Sequence, residues 1–413
     1  MNIAHDPLRA PLLVTLIACL LVAAGPRSRA GADTREVRAL WVTRSSLVSP
    51  ERVAAMVRSA AAGGFNTLLV QVRGRGDAYF PSRVEPRAQA LAGQPLSFDP
   101  LASTLALARA RGLRVHAWVN VNLTSSGAEL PTSRGHVVYE HPEWLMVPRA
   151  LAFELGRLDP RTPQYVRRLA RWTQSVPAEV EGLYSSPVHP GAVNRLVSVV
   201  DELVSNYALD GLHLDYARYP SASFDYSRVA LSAFRTHIDA ELTAAERLRY
   251  GAGTTAALVA LTELKAERWA EFRRSRLNTL VMRVRTIAKA RRPDIVLSAA
   301  VYPDSSESAS GRLQDWRSWI EHRLIDVICP MAYTPDTATF AAQIAEVRQH
   351  AGGQPVWAGI GAYRLSSSRT VENIRTARRL GAEGVVLFSY DSLAQSPHGA
   401  GYLPALGRAA FRP

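Results

Sequence analysis

Short apolar stretches alternate with longer helix-patterned ones along nearly the whole chain, and eight such stretches can be counted. They fall at 37–42, 67–73, 114–120, a fourth ending at Asp215, then 295–302, 326–331, 356–361 and 384–389. Strands this short, separated by helices, pair in parallel through βαβ units. Eight repeats predict a (β/α)8 TIM barrel, an α/β fold, with the excess length in the loops after strands 3 and 4. One of these loops covers 121–190; the other is a helical region over 227–291, broken near Gly251 and Gly253. A doubly wound open sheet is the competing architecture, but no Gly-x-Gly-x-x-Gly turn follows the first strand.

The fourth strand is the most informative. In Asp210-Gly-Leu-His-Leu-Asp215 the leucines alternate with His213 and Asp215, the period of a two-faced strand. Leu212 and Leu214 are expected against the outer helices, with His213 and Asp215 pointing inward. Asp215 then sits at the strand's C-terminal end, where such barrels keep their chemistry. Gln71 and Arg73 share the inner face of strand 2; His116, Trp118 and Asn120 share that of strand 3. A buried arginine needs a carboxylate, so Arg73 is expected to couple to Asp215 or Asp77. His213 either orients Asp215 or is a satisfied core histidine. Tyr216 follows Asp215 directly, and Tyr302, Tyr333 and Tyr390 end strands 5, 6 and 8, where rings suit stacking on sugars.

Composition narrows the partners. The net charge of +13 favours anionic partners, yet no interleaved basic and aromatic ladder points to nucleic acid. Residues 1–30 read as a secretory signal: Arg9, an apolar run over 11–24, then Gly25-Pro26 and a small-x-small site ending at Ala30. Export to the periplasm or outside is therefore expected. Leu16-Ile-Ala-Cys19 resembles a lipoprotein box and would provide peripheral envelope association, although apolar residues continue past it. If Cys19 leaves with the leader, Cys329 stands alone and forms no intramolecular disulfide. Histidines 116, 136, 141 and 189 have no metal-ligand spacing, so no metal or other cofactor is expected. Oligomeric state is not legible.

Several segments together carry a family resemblance. Arg38-Ala-Leu-Trp-Val, Phe65-Asn-Thr, Gln71-Val-Arg73, His116-Ala-Trp-Val-Asn120, His141-Pro-Glu-Trp144, Leu158-Asp-Pro160, Asp210-Gly-Leu-His-Leu-Asp215 and Phe388-Ser-Tyr390 resemble the glycosyl hydrolase-like 10 family over residues 34–413. The resemblance implies an exported barrel that hydrolyses glycosidic bonds in a polymeric carbohydrate, with peptidoglycan glycan strands as the leading envelope substrate. Many members carry two aspartates at the end of strand 4; here the second is Tyr216. The stretch also departs from the chitinase pattern, whose proton donor is replaced by Ala217.

Glycoside cleavage normally uses one carboxylate to stabilise or attack an oxocarbenium-like centre and another as acid. Asp215 is assigned the first role, kept ionised by Arg73 or Arg218, with a structural ion pair as the other reading. Asp304, after strand 5, is assigned the acid role by analogy with other barrels; Asp336 and Asp391 after later strands, and Asp77, Glu143 and Asp159 in the loops, are its rivals. Gln71, Arg73, Trp118, Asn120, His213, Tyr216, Tyr302, Tyr333 and Tyr390 are the expected substrate contacts. The alternative is a non-catalytic carbohydrate-binding barrel that acts as an envelope adaptor.

Overall fold

The eight stretches close into one parallel barrel in sequence order, and the last strand pairs back with the first. The computed structural model describes residues 36–411, apart from 128, 252, 396–398 and 400. The leader and Cys19 lie outside the described residues. The strands are β1 Val37–Val42, β2 Thr67–Arg73, β3 Arg114–Asn120, β4 Gly211–Asp215, β5 Val296–Val301, β6 Val327–Ala332, β7 Trp357–Ile360 and β8 Gly384–Leu387.

Local chemistry sets the helix ends. Ser49 accepts the Arg52 N–H in front of Pro50–Ala62, and Asp99 accepts the Ala102 N–H in front of Pro100–Arg109. Each helix has proline in its first turn, where the missing N–H is not needed. The helices outside the strands include Pro190–Asn206, Ala266–Arg291, Thr337–His350 and Ser367–Arg379.

The alternation in β4 is realised as expected. Leu212 and Leu214 join the cluster formed with Leu196, Val200 and Leu203 of one helix and Leu277, Val281 and Val284 of another. Each fully buried leucine contributes roughly 1.5–3 kcal/mol. The inner faces supply a second cluster that includes Ala39, Trp41, Leu69, Trp118, Cys329 and Trp357, so the barrel is filled with side chains.

Both long insertions build small cores of their own. The loop after β3 packs Leu145, Tyr165, Leu169 and Leu183 around the helix Pro163–Ser175. The region after β4 packs Phe234, Trp269 and Phe272. Its helical run breaks near Gly251–Gly253 as expected. It breaks again before Ala244, where Thr243 and Glu246 form a capping box. Between β5 and β6 lie two short helices, Ser305–Gly311 and Trp316–Glu321. Among the described residues, no helix is long and apolar enough to cross a membrane.

Candidate active site

The end of β4 is locked before it turns. Asp215 lies in register with Asn120, and its carbonyl accepts the Val121 N–H at 2.7 Å. Tyr216 then enters the left-handed region at φ 51°, a conformation that strains a residue with a bulky side chain. That turn lets the Tyr216 N–H donate to Asp215 Oδ1 at 2.6 Å. Arg218 Nη1 lies 3.5 Å from the same oxygen, while Nη2 donates to Glu181 Oε1 at 3.2 Å. The other Glu181 oxygen accepts the Tyr184 hydroxyl at 2.6 Å. The guanidinium also lies 4.0 Å from the centre of the Tyr216 ring and 5.2 Å from that of Tyr302.

These contacts push the two carboxyls apart. Burial raises the Asp215 pKa; Arg218 and the Tyr216 N–H oppose it, but burial wins. Of the two arginines expected to favour the ionised form, Arg218 is the one beside Asp215 and does so without outweighing burial. Burial also acts upward on Glu181, but there Arg218 and the Tyr184 hydroxyl outweigh it and hold the carboxyl below its ordinary range. The difference follows from geometry. Arg218 hydrogen-bonds Glu181 directly and only approaches Asp215.

Asp215 faces a cavity of about 210 Å³ at the C-terminal mouth of the barrel. Trp41, Trp118, Tyr216, Tyr333 and Phe388 supply ring surface; Arg44, Arg75 and Arg218 supply three guanidinium groups. Among the described lining residues Asp215 is the only carboxylate. A larger space of about 350 Å³ lies between the loops around Glu143–Tyr165 and Tyr226–Val229. No strand end reaches it, so the cavity at the mouth is the candidate site.

The expected contacts divide into three groups. Gln71, Trp118, Tyr216 and Tyr333 line the cavity. Asn120 is buried behind it: its side-chain oxygen accepts from Trp118 Nε1 at 2.9 Å and from Gln71 Nε2 at 3.4 Å, and its amide donates to the Gly74 carbonyl. Gln71 in turn accepts from Arg44 Nη1 at 3.1 Å, so Asn120 positions three cavity residues through one network. Tyr302 packs beside Arg218 and Arg312.

The remaining expected contacts point elsewhere. Arg73 pairs with buried Glu85, Nε and Nη2 lying 2.9 and 2.8 Å from one carboxylate oxygen, not with Asp215 or Asp77. His213 is a satisfied core histidine. Trp41 Nε1 donates to its Nε2 at 2.9 Å, so Nδ1 carries the proton and donates to Ser298 Oγ at 2.9 Å. Burial and neighbouring His116 hold the His213 pKa well below the ordinary value. Tyr390 is buried and hydrogen-bonded to Ser59 on the outer helix.

The later-strand acids are also committed. Asp304 is exposed and caps Ser305–Gly311, accepting the Glu307 N–H at 2.8 Å. Its assignment as acid is corrected, since it lies outside the cavity. Asp336 caps the helix Thr337–His350. Asp391 accepts the Thr43 N–H and the Ser45 and Ser46 hydroxyls at 2.6–2.7 Å. Among the described residues no group of three His, Cys, Asp or Glu is placed to hold a metal ion.

Trp41, Arg44, Arg75, Phe388 and Glu181 were not singled out as site residues from sequence. Trp41 had a signal, because it shares the inward parity of Ala39 on β1. Arg44 opens the short 3-10 helix Arg44–Leu47, and Arg75 and Glu181 sit on loops, where no strand period applies.

The family model described as glycosyl hydrolase-like 10 matches residues 36–372. The chain belongs to the glycosyl hydrolase-like 10 family. The glycosyl hydrolase YngK of Bacillus subtilis (strain 168) is 24% identical over 353 residues, covering 78% of this chain and 58% of the relative. The glycosyl hydrolase DigH of Escherichia coli (strain K12) is 25% identical over 302 residues, covering 66% of this chain and 55% of the relative. The chain thus spans somewhat over half the length of these family relatives. Among solved structures, the PgaB (BpsB) glycoside hydrolase domain from Bordetella bronchiseptica superposes with a TM-score of 0.62 at 17% identity, covering 90% of this chain and 98% of that one. The catalytic domain of a β-amylase from Paenibacillus polymyxa superposes with a TM-score of 0.57 at 10% identity, covering 91% and 97%. At such identities the likeness is one of fold.

Proposed function

We propose that this protein is an exported glycoside hydrolase acting on an anionic envelope glycan, with peptidoglycan strands as the leading substrate. The observation that carries the reading is a buried Asp215 at the end of β4, facing a cavity of aromatic rings and guanidinium groups. Asp215, its pKa raised by burial, is suited to protonate the leaving glycosidic oxygen. The rings offer stacking faces to pyranose units. Three guanidiniums beside an oxocarbenium-like transition state oppose its charge unless the bound sugar brings an anion of its own. The lactyl carboxylates of peptide-free peptidoglycan strands meet that requirement. The family relatives named as glycosyl hydrolases support the activity, and the leader-like residues 1–30 support export.

A second reading is favoured by one observation: Asp215 has no second carboxylate opposite it in the described lining. A barrel that binds anionic glycans without cutting them fits that lining too. The two are separated by mass spectrometry of a glycan panel, including peptidoglycan strands with and without stem peptides, after incubation with wild type and Asp215→Asn. New glycan ends with wild type and none with the variant support hydrolysis. Binding by both proteins with no new ends from any glycan transfers the assignment to the binding barrel.

A further inference from the structure

Arg75 lines the catalytic cavity on one side and a separate cleft of about 290 Å³ on the other. Its place is fixed through its backbone. The Arg75 N–H donates to Asp77 Oδ1 at 2.9 Å, and its carbonyl lies 2.6 Å from His136 Nε2. His136 Nδ1 accepts the Val138 N–H, so Nε2 carries the proton and donates to Arg75. Gly76 lets the ring come this close: at φ +67° it is in the glycine-favoured region, and a Cβ there would lie 2.8 Å from His136 Nε2. Arg75 Nη1 turns back to the Gly74 carbonyl at 3.0 Å, while its Nε is buried without a hydrogen-bond partner.

Arg87, also in the cleft wall, repeats that pattern. Its Nη1 and Nη2 donate to the Phe98 and Pro95 carbonyls, and its Nε is likewise buried and unpartnered. Arg75 and Arg87 thus bring two guanidinium groups to one cleft whose wall also carries Asp77 and Glu129, so donors and acceptors for a polar ligand share one lining. Leu130 and Pro131 add an apolar surface, and Ser125 and Thr132 add hydroxyls. Apolar surface with a few convergent polar groups is how a sugar ring is held.

The two spaces relate through Arg75, which lines both. Each is at the small end of the range for ligand pockets, the size of a short piece of glycan and not of a polymer. We propose that the cleft is a second glycan subsite, so that one oligosaccharide lies over Arg75 with one sugar at Asp215 and another in the cleft. This rests on the glycan reading above. Arg75 then touches the link between the two sugars.

The test measures binding of peptide-free peptidoglycan oligosaccharides of two, four and six sugars by calorimetry, using the full chain as Asp215→Asn to prevent turnover. The expected result is at least tenfold tighter binding of the longer chains than of the disaccharide. In the double variant with exposed Thr132→Trp, which fills the cleft, that length advantage falls to about one. Binding without length dependence, or a length advantage that survives Thr132→Trp, overturns the cleft and leaves the glycan reading standing. No binding at any length refutes both.

Discussion

Replacing Arg218 with methionine tests the electrostatics of the site directly. The side chain is only 4% exposed and touches both Asp215 and Glu181. Its charge-assisted bond to Glu181 is worth about 1.5–3 kcal/mol, and its packing on the Tyr216 ring about 0.5–2 kcal/mol. Breaking a wholly buried pair costs about 3–5 kcal/mol. Glu181, however, is 35% exposed in its side chain and regains water, and Asp215 relieves itself by taking a proton. The expected loss at pH 7 is therefore about 2–3 kcal/mol.

The sign with pH follows from both carboxyls. Glu181, held low by Arg218, contributes stability that is present above its unfolded pKa, about 4.3, and lost as pH falls through the lower folded value. Asp215 is the opposite case, with its folded pKa raised. Its ionised form is a burden above that raised value and is relieved as pH falls toward about 3.9. Arg218 lightens the burden, so removing it matters most at neutral pH. Urea unfolding at pH 7 and at pH 3.5 should show a wild-type advantage that shrinks on acidification. An equal loss at both pH values, or one below about 0.5 kcal/mol at pH 7, would refute this electrostatic account.

Three further outcomes are expected. Asp304→Asn keeps glycan cleavage within a few-fold of wild type and lowers stability by less than about 1 kcal/mol, because Asn also caps helices; a thousandfold loss of cleavage would restore Asp304 as the acid. Gly211→Ala drives a Cβ into the His116 ring and costs about 1–3 kcal/mol of overpacking in denaturant midpoint, whereas an unchanged midpoint would mean that the ring moves freely. Trp41→Phe leaves buried His213 Nε2 without its donor, a loss of about 1–3 kcal/mol by urea titration; losses that simply add when Trp41→Phe is combined with His213→Ala would show that the bond contributes nothing.

What could be read from the sequence follows the range of the interactions involved. Leu212 and Leu214 against His213 and Asp215 is a nearest-neighbour pattern, and strand parity converts it directly into inside and outside. The same parity placed Trp118 and Gln71 on the inner faces of β3 and β2. Parity says which way a side chain points but not what it meets. Arg73 ends β2 and finds Glu85, a loop residue that also pairs with Arg195 of the helix Pro190–Asn206. Asp304 follows a strand as a barrel acid would, yet the chain turns helical at Ser305 and takes the carboxylate as a cap. Arg44, Arg75 and Glu181 lie outside the strands, and their places depend on contacts that no strand parity records. The charge balance of the cavity was therefore hidden, and with it the direction of the Asp215 shift.

The pairing of β8 with β1 has a consequence in time as well as in space. Trp41 and Phe388 meet across that seam with ring centres 6.1 Å apart, and Asp391 ties down the segment that carries Arg44. A chain emerging from the ribosome has Asp215 in hand long before residues 384–391 exist. Until they arrive, the carboxyl has a strand beneath it but lacks the Phe388 side of its cavity. Ring closure thus completes the wall around Asp215, and a molecule shortened before β8 is expected to carry every group at the end of β4 with that carboxyl more open to water.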